Sequence, residues 1–158
     1  MKTVNIEVYS ITELSEQAQE VAHSNHLENF DHFWLDDSMN SVSKFADLFY
    51  CKVTDYSIGG QFDYIETDID NDCIRGIKPA DIPLDFLDGS GYCLDSDILE
   101  TFHSSVKVTG DVKTAFNEAV DVAVKHIVAD LEYHANMECF TEMSNDNDWQ
   151  YLENGTLF

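Results

Sequence analysis

Thirty-one aspartates and glutamates stand against eight lysines and arginines, a formal charge of −23 over 158 residues. A chain so unbalanced folds only if nearly all its carboxylates stay in water, since a buried ion without a partner is severely penalised. Repulsion among the acids adds to that cost, so the apolar residues must be well grouped to offset it. They are plentiful: 44% of the chain is hydrophobic, with ten Phe, seven Tyr and two Trp. Disordered chains have few aromatics. The length suits a single acidic domain over 1–158 with one core.

The same charge limits what the protein can touch. It repels nucleic acid and anionic membranes and steers the chain toward basic surfaces. Solubility alone asks for a net charge of only about 2–8 on a small domain. Adaptation to high salt also yields lysine-poor, aspartate-rich surfaces, but not with so many large aromatics. A basic partner accounts best for the excess.

Four cysteines (Cys51, Cys73, Cys93, Cys139) lie far apart with no C-x-x-C pair. MKTVNIEVYS lacks the apolar run of a signal peptide, and no stretch reaches the roughly 18 apolar residues of a membrane span. The expected setting is reducing, the cytoplasm of a bacterial host, with free thiols.

Residues 3–9 alternate apolar and polar (Val4, Ile6, Val8 against Asn5, Glu7) and predict a half-buried strand. A helix is expected over 12–29, capped by Ser10, Thr12 or Ser15, with Glu13 completing a capping box from Ser10 and Leu14, Ala18, Val21, Ala22 and Leu27 turned inward. Met39, Val42, Phe45, Ala46 and Phe49 predict a second helix over 35–50. Residues 52–58 and 61–70 read as a hairpin around Gly59-Gly60, and 74–77 as a further short strand. The segment 78–110, broken by Pro79, Pro83, Gly89 and Gly91, suggests one short helix near 95–103. The longest helix is expected at 111–136, with Asp111 at its start and Phe116, Val120, Ala123, Val124, Ile127, Val128 and Leu131 as its core stripe. Asn154-Gly155 predicts a turn in a terminal hairpin. The expected fold is α+β, a small antiparallel sheet packed against two or three helices.

No motif carries catalysis. Asp68, Asp70 and Asp72 open a calcium-loop pattern, but its required sixth Gly and twelfth Glu are Cys73 and Pro79. Asn145 to Asp148 lacks the same residues. His126, Asp130 and His134 follow at i, i+4 and i+8 on one helix face, and two His with an Asp can hold a metal when other ligands close the site. The same spacing also marks a solvated face; His23 and His26 raise the same question. No nucleophile signature surrounds a Ser or Cys, and no glycine-rich phosphate loop occurs. No catalytic residue, metal or cofactor is expected.

The most informative stretch is I-E-T-D-I-D-N-D, residues 65–72. On an extended strand, alternate residues share a face about 6.6 Å apart, and neighbouring phosphates of duplex DNA lie about 7 Å apart. Glu66, Asp68, Asp70 and Asp72 would form a phosphate-like row. Asp81, Asp85, Asp88, Asp95 and Asp97 extend it: residues 63–100 carry eleven acids and two bases. Tyr64, Phe62 and Tyr92 lie near the row as apolar anchors.

The opening TVNIEVYSITELSEQAQEVAHSNHLENFDHFWLDD resembles a family of small acidic phage and prophage proteins, in which a strand leads into an ELSEEAK-like helix start and an aromatic, acidic segment. The ending ECFTEMSNDNDWQYLENGTLF is similar to that family's C-terminus. The resemblance covers about 35 residues at one end and 20 at the other, and transfers no residue role. It implies an origin in mobile elements, whose accessory proteins often oppose restriction or CRISPR systems. The expected function is a non-enzymatic inhibitor whose acidic, DNA-mimicking surface blocks such a complex. An antitoxin-like partner of one basic protein is the alternative, and a metal-binding or hydrolytic protein the third reading.

Overall fold

Helical apolar spacing wins over strand alternation along most of the chain. The computed structural model describes residues 5–32, 34–84 and 93–158, without the Cys93 side chain. Five α-helices dominate it: α1 (Glu16–Leu27), α2 (Leu35–Asp47), α3 (Cys93–Thr109), α4 (Val112–His134) and α5 (Met137–Asp146). The only sheet among the described residues is a two-stranded antiparallel hairpin, β1 (Val53–Ser57) with β2 (Tyr64–Thr67).

The expected small sheet packed against two or three helices is therefore corrected to a mostly helical protein, 56% helix, with one hairpin. Four local causes account for the difference. Of residues 5–9, only Tyr9 pairs, through a single bridge to Tyr151. Residues 74–76 form turns instead of a strand. Helix α3 runs well beyond the expected 95–103. Finally, Asn136 starts a helix that the sequence reading missed, its Oδ1 accepting the Cys139 N–H at 2.8 Å.

Two compact units divide the chain, one of residues 1–32 and 131–158, the other of residues 33–130. In the first, a 3-10 turn (Ile11–Glu13) precedes α1. The Glu13 carboxylate accepts from the Ser10 N–H at 2.8 Å and from its hydroxyl at 3.0 Å, so the expected capping box closes this turn. Helix α1 is capped separately by Ser15, whose hydroxyl accepts from Ala18 N–H at 3.3 Å. Ile11, Leu14, Ala18 and Ala22 pack with Phe140 and Tyr151, whereas Val21 and Leu27, expected inside, are exposed. The C-terminal hairpin turns at Asn154-Gly155 as its sequence suggests: Gly155 N–H donates to Leu152 O at 2.9 Å with φ at +85°.

In the second unit α2, α3 and the body of α4 surround four phenylalanines. Phe45 stacks on Phe116 at 5.1 Å, and Phe49 meets both Phe102 and Phe116 edge-on at 5.0 Å. Offset and edge-on pairs of this kind add about 0.5–1.5 kcal/mol each to the burial of the rings. The hairpin lies against this core through Val53, Ile65 and Ile69.

Candidate functional site

The hairpin divides its residues by side. Ile65, Thr67 and Ile69 are half-buried, while Glu66, Asp68 and Asp70 are exposed. That alternation follows the expected pattern through Asp70, although β2 itself ends at Thr67. Asp72 leaves it, lying in a turn and pairing with Arg75 at 3.0 Å.

Register adds a carboxylate the sequence reading missed. Asp55 on β1 stands directly opposite Glu66 on β2. Cross-strand partners hold their Cβ atoms about 4.5–5.5 Å apart, and like charges there repel. The Tyr64 hydroxyl donates to Asp55 Oδ2 at 2.8 Å; this bond, with burial and the charges of Asp55 and Glu66, pushes the phenol pKa up. Among the described residues, no lysine or arginine makes an ion pair within 4 Å of Asp55, Glu66, Asp68, Asp70 or Asp81. Only the pairing of β1 with β2 reveals Asp55, which has no acidic neighbour at i±2.

The acids beyond β2 also serve the backbone. Asp68 Oδ1 accepts from Lys52 N–H at 2.5 Å, and Asp68 N–H donates to Lys52 O at 3.1 Å, prolonging the pairing by one step. Asp70 Oδ1 accepts from the N–H groups of Cys73 (2.8 Å) and Asp72 (2.7 Å). The Cys73 hydrogen bonds lead in holding the Asp70 carboxyl below its ordinary pKa. Asp63 binds Gly59 N–H at 2.6 Å, so the expected two-residue turn is a longer loop running from Ser57 to Tyr64. Phe62 on that loop is 72% exposed.

The remaining predicted contact residues scatter. Asp81 is exposed on a 3-10 turn (Pro79–Asp81). Asp95, in the first turn of α3, is only 9% exposed, so its expected place in a surface row is corrected. Asp97 meets His126 Nδ1 at 2.9 Å. Asp85, Asp88 and Tyr92 lie outside the described residues.

The histidine row on α4 also separates, because His126 takes Asp97 while His134 Nδ1 lies 3.6 Å from Cys139 Sγ. Among the described residues, no three His, Cys, Asp or Glu side chains gather closely enough for a metal ion. No helix among them is long and apolar enough to cross a membrane. Comparison with protein-family models, curated proteins and solved structures finds no match to this chain.

Proposed function

We propose that this protein is a non-enzymatic inhibitor, working in a bacterial cytoplasm, whose acidic hairpin takes the place of nucleic-acid phosphates on a host defence complex such as a CRISPR effector or restriction enzyme. The observation that carries this reading is Asp55 facing Glu66 with Asp68 beyond them, all exposed and without an ion pair among the described residues. Such a cluster opposes the hairpin's own pairing and is relieved when lysines or arginines approach. Basic sockets spaced for phosphates about 7 Å apart suit carboxylates at strand pitch. Phe62, and Tyr64 with its hydroxyl engaged, add apolar contact beside the charge, which tight association needs because each exposed ion pair contributes little.

The test begins with capture of the host complex and measurement of DNA release in a gel shift. The variant D55N/E66Q/D68N/D81N keeps the Asp68 acceptor for Lys52 N–H while removing four charges. It should fold and lose about one to two orders of magnitude in DNA release. E16Q/E20Q, on exposed α1 positions, should release DNA as well as the parent. An equally potent fourfold variant would remove the hairpin from the interface. Binding should also weaken as salt rises from about 50 to 500 mM; salt-insensitive binding would favour the antitoxin-like reading.

A further inference from the structure

Helix α2 closes on a residue whose backbone conformation its side chain does not favour. Tyr50 N–H donates to Asp47 O at 3.1 Å and Cys51 N–H to Ala46 O at 3.2 Å, the paired bonds that end a helix through one left-handed residue. That residue is Tyr50, with φ at +58°. Glycine is usual there, and a bulky side chain in this region is strained. The rest of the chain keeps to that preference: Gly110, with φ at +70°, follows α3. Asp148, the other non-glycine with positive φ among the described residues, belongs to a type that tolerates it. The Tyr50 ring does little for the fold in return, since the residue is 84% exposed. Strain of this kind gathers at functional surfaces, and tyrosine is among the residues that dominate interfaces.

We infer that Tyr50 contacts an arginine of the basic partner, its exposed ring stacking on the guanidinium; this rests on the hairpin reading above. Position and charge select that occupant. Lys52, two residues on, exchanges hydrogen bonds with Asp68, and Tyr50 O lies 3.9 Å from Cys73 Sγ, so Tyr50 stands at the foot of the acidic hairpin. Asp47 and Asp68, both exposed, lie near enough to act on the adjoining Cys51 thiol. With Asp70 they outnumber Lys52 there. A cation over the face of a tyrosine is attracted by the ring. Arginine suits this place better than lysine, because its planar, weakly hydrated guanidinium stacks on a ring while forking to a carboxylate. An anion would meet the net charge of −23 instead.

Fluorescence anisotropy of the whole protein with labelled Gly-Arg and Gly-Lys repeat peptides of equal length, at about 50 mM salt, tests the assignment. The parent should bind the arginine peptide more tightly than the lysine one. Y50N removes the ring and accepts the left-handed conformation, and should reduce that preference about threefold. Y50F keeps the ring and should keep the preference. Y50N should also melt no lower than the parent, and Y50G repeats the comparison with the residue usual at this position. No arginine preference in the parent, or the same preference in Y50N, would overturn the assignment whatever the hairpin charges contribute. A melting point more than about 4 °C below the parent in both Y50N and Y50G would overturn it too, by making the ring a structural one. The variant D55N/E66Q/D68N/D81N should weaken both peptides together; parent-like binding of both would instead count against the hairpin reading, which the ratio between the peptides does not test.

Discussion

Cys51 and Gly155 show how far single residues are fixed by their surroundings. The Cys51 thiol is buried and donates to Ala46 O at 3.3 Å. Burial first, then the nearby Cys73 and Asp68, push its pKa up to about 12. Since the thiolate is the reactive form, Cys51 should resist alkylation at pH 8 in the native protein and react only on unfolding, whereas half-buried Cys73 reacts sooner. Peptide mapping after a timed iodoacetamide pulse reads the order directly; early labelling of Cys51 would refute it. Glycine substitutions make a second contrast. Gly110 and Gly155 both have positive φ, but a Cβ on Gly110 meets nothing within 4 Å while one on Gly155 meets the Ala18 carbonyl. G110A should therefore cost about 1 kcal/mol, and G155A several times more, measured by denaturant unfolding.

Among the elements, α4 was the most legible in the sequence and α5 the least. Phe116, Val120, Ala123 and Ile127 recur at 3.6-residue spacing and are all buried in α4, so its period and its core face coincide. Met137–Asp146 offers only Cys139, Phe140 and Ser144 as buried positions, too few apolar residues to stand out as a stripe. Its one readable signal was Asn136 as a cap. The hairpin was legible in part: both strands fall within the expected segments, but β2 takes up only Tyr64–Thr67 of 61–70, and the facing of Asp55 by Glu66 depends on a register shift between Val53 and Asp55 that sequence alternation cannot place. Caps can be tested on both helices. N136A should cost about 1 kcal/mol. Asp111 accepts from Thr114 Oγ1 at 2.6 Å and Lys113 N–H at 3.1 Å, and these bonds, the Thr114 contact first, hold its carboxyl below the ordinary pKa. A carboxyl with a lowered folded pKa stabilises the fold above the unfolded value, about 3.9, and that stabilisation disappears as pH falls through the folded value. D111A should therefore melt lower than the parent at pH 7, and the gap should narrow as pH falls below about 3.9; a gap that stayed constant would assign the effect to shape instead of charge.

At the scale of the whole molecule, folding works against a charge of −23. Added salt screens that repulsion, so the melting temperature should rise between about 20 and 500 mM sodium chloride, and a flat response would mean the acids are already compensated locally. The ring cluster opposes the repulsion, and F116A, which removes the stacking partner of Phe45, should cost about 3–5 kcal/mol. The charge also bears on self-association. The two-stranded hairpin leaves both its outer edges without a strand partner among the described residues, and open edges invite pairing between copies, with charged residues the usual deterrent. Asp55 and Glu66 lie on these two edge strands, with Asp68 just beyond β2. Neutralising them should therefore raise light scattering at high protein concentration even where the fold is intact, which ties the solubility of this protein to the same carboxylates that would address a basic partner.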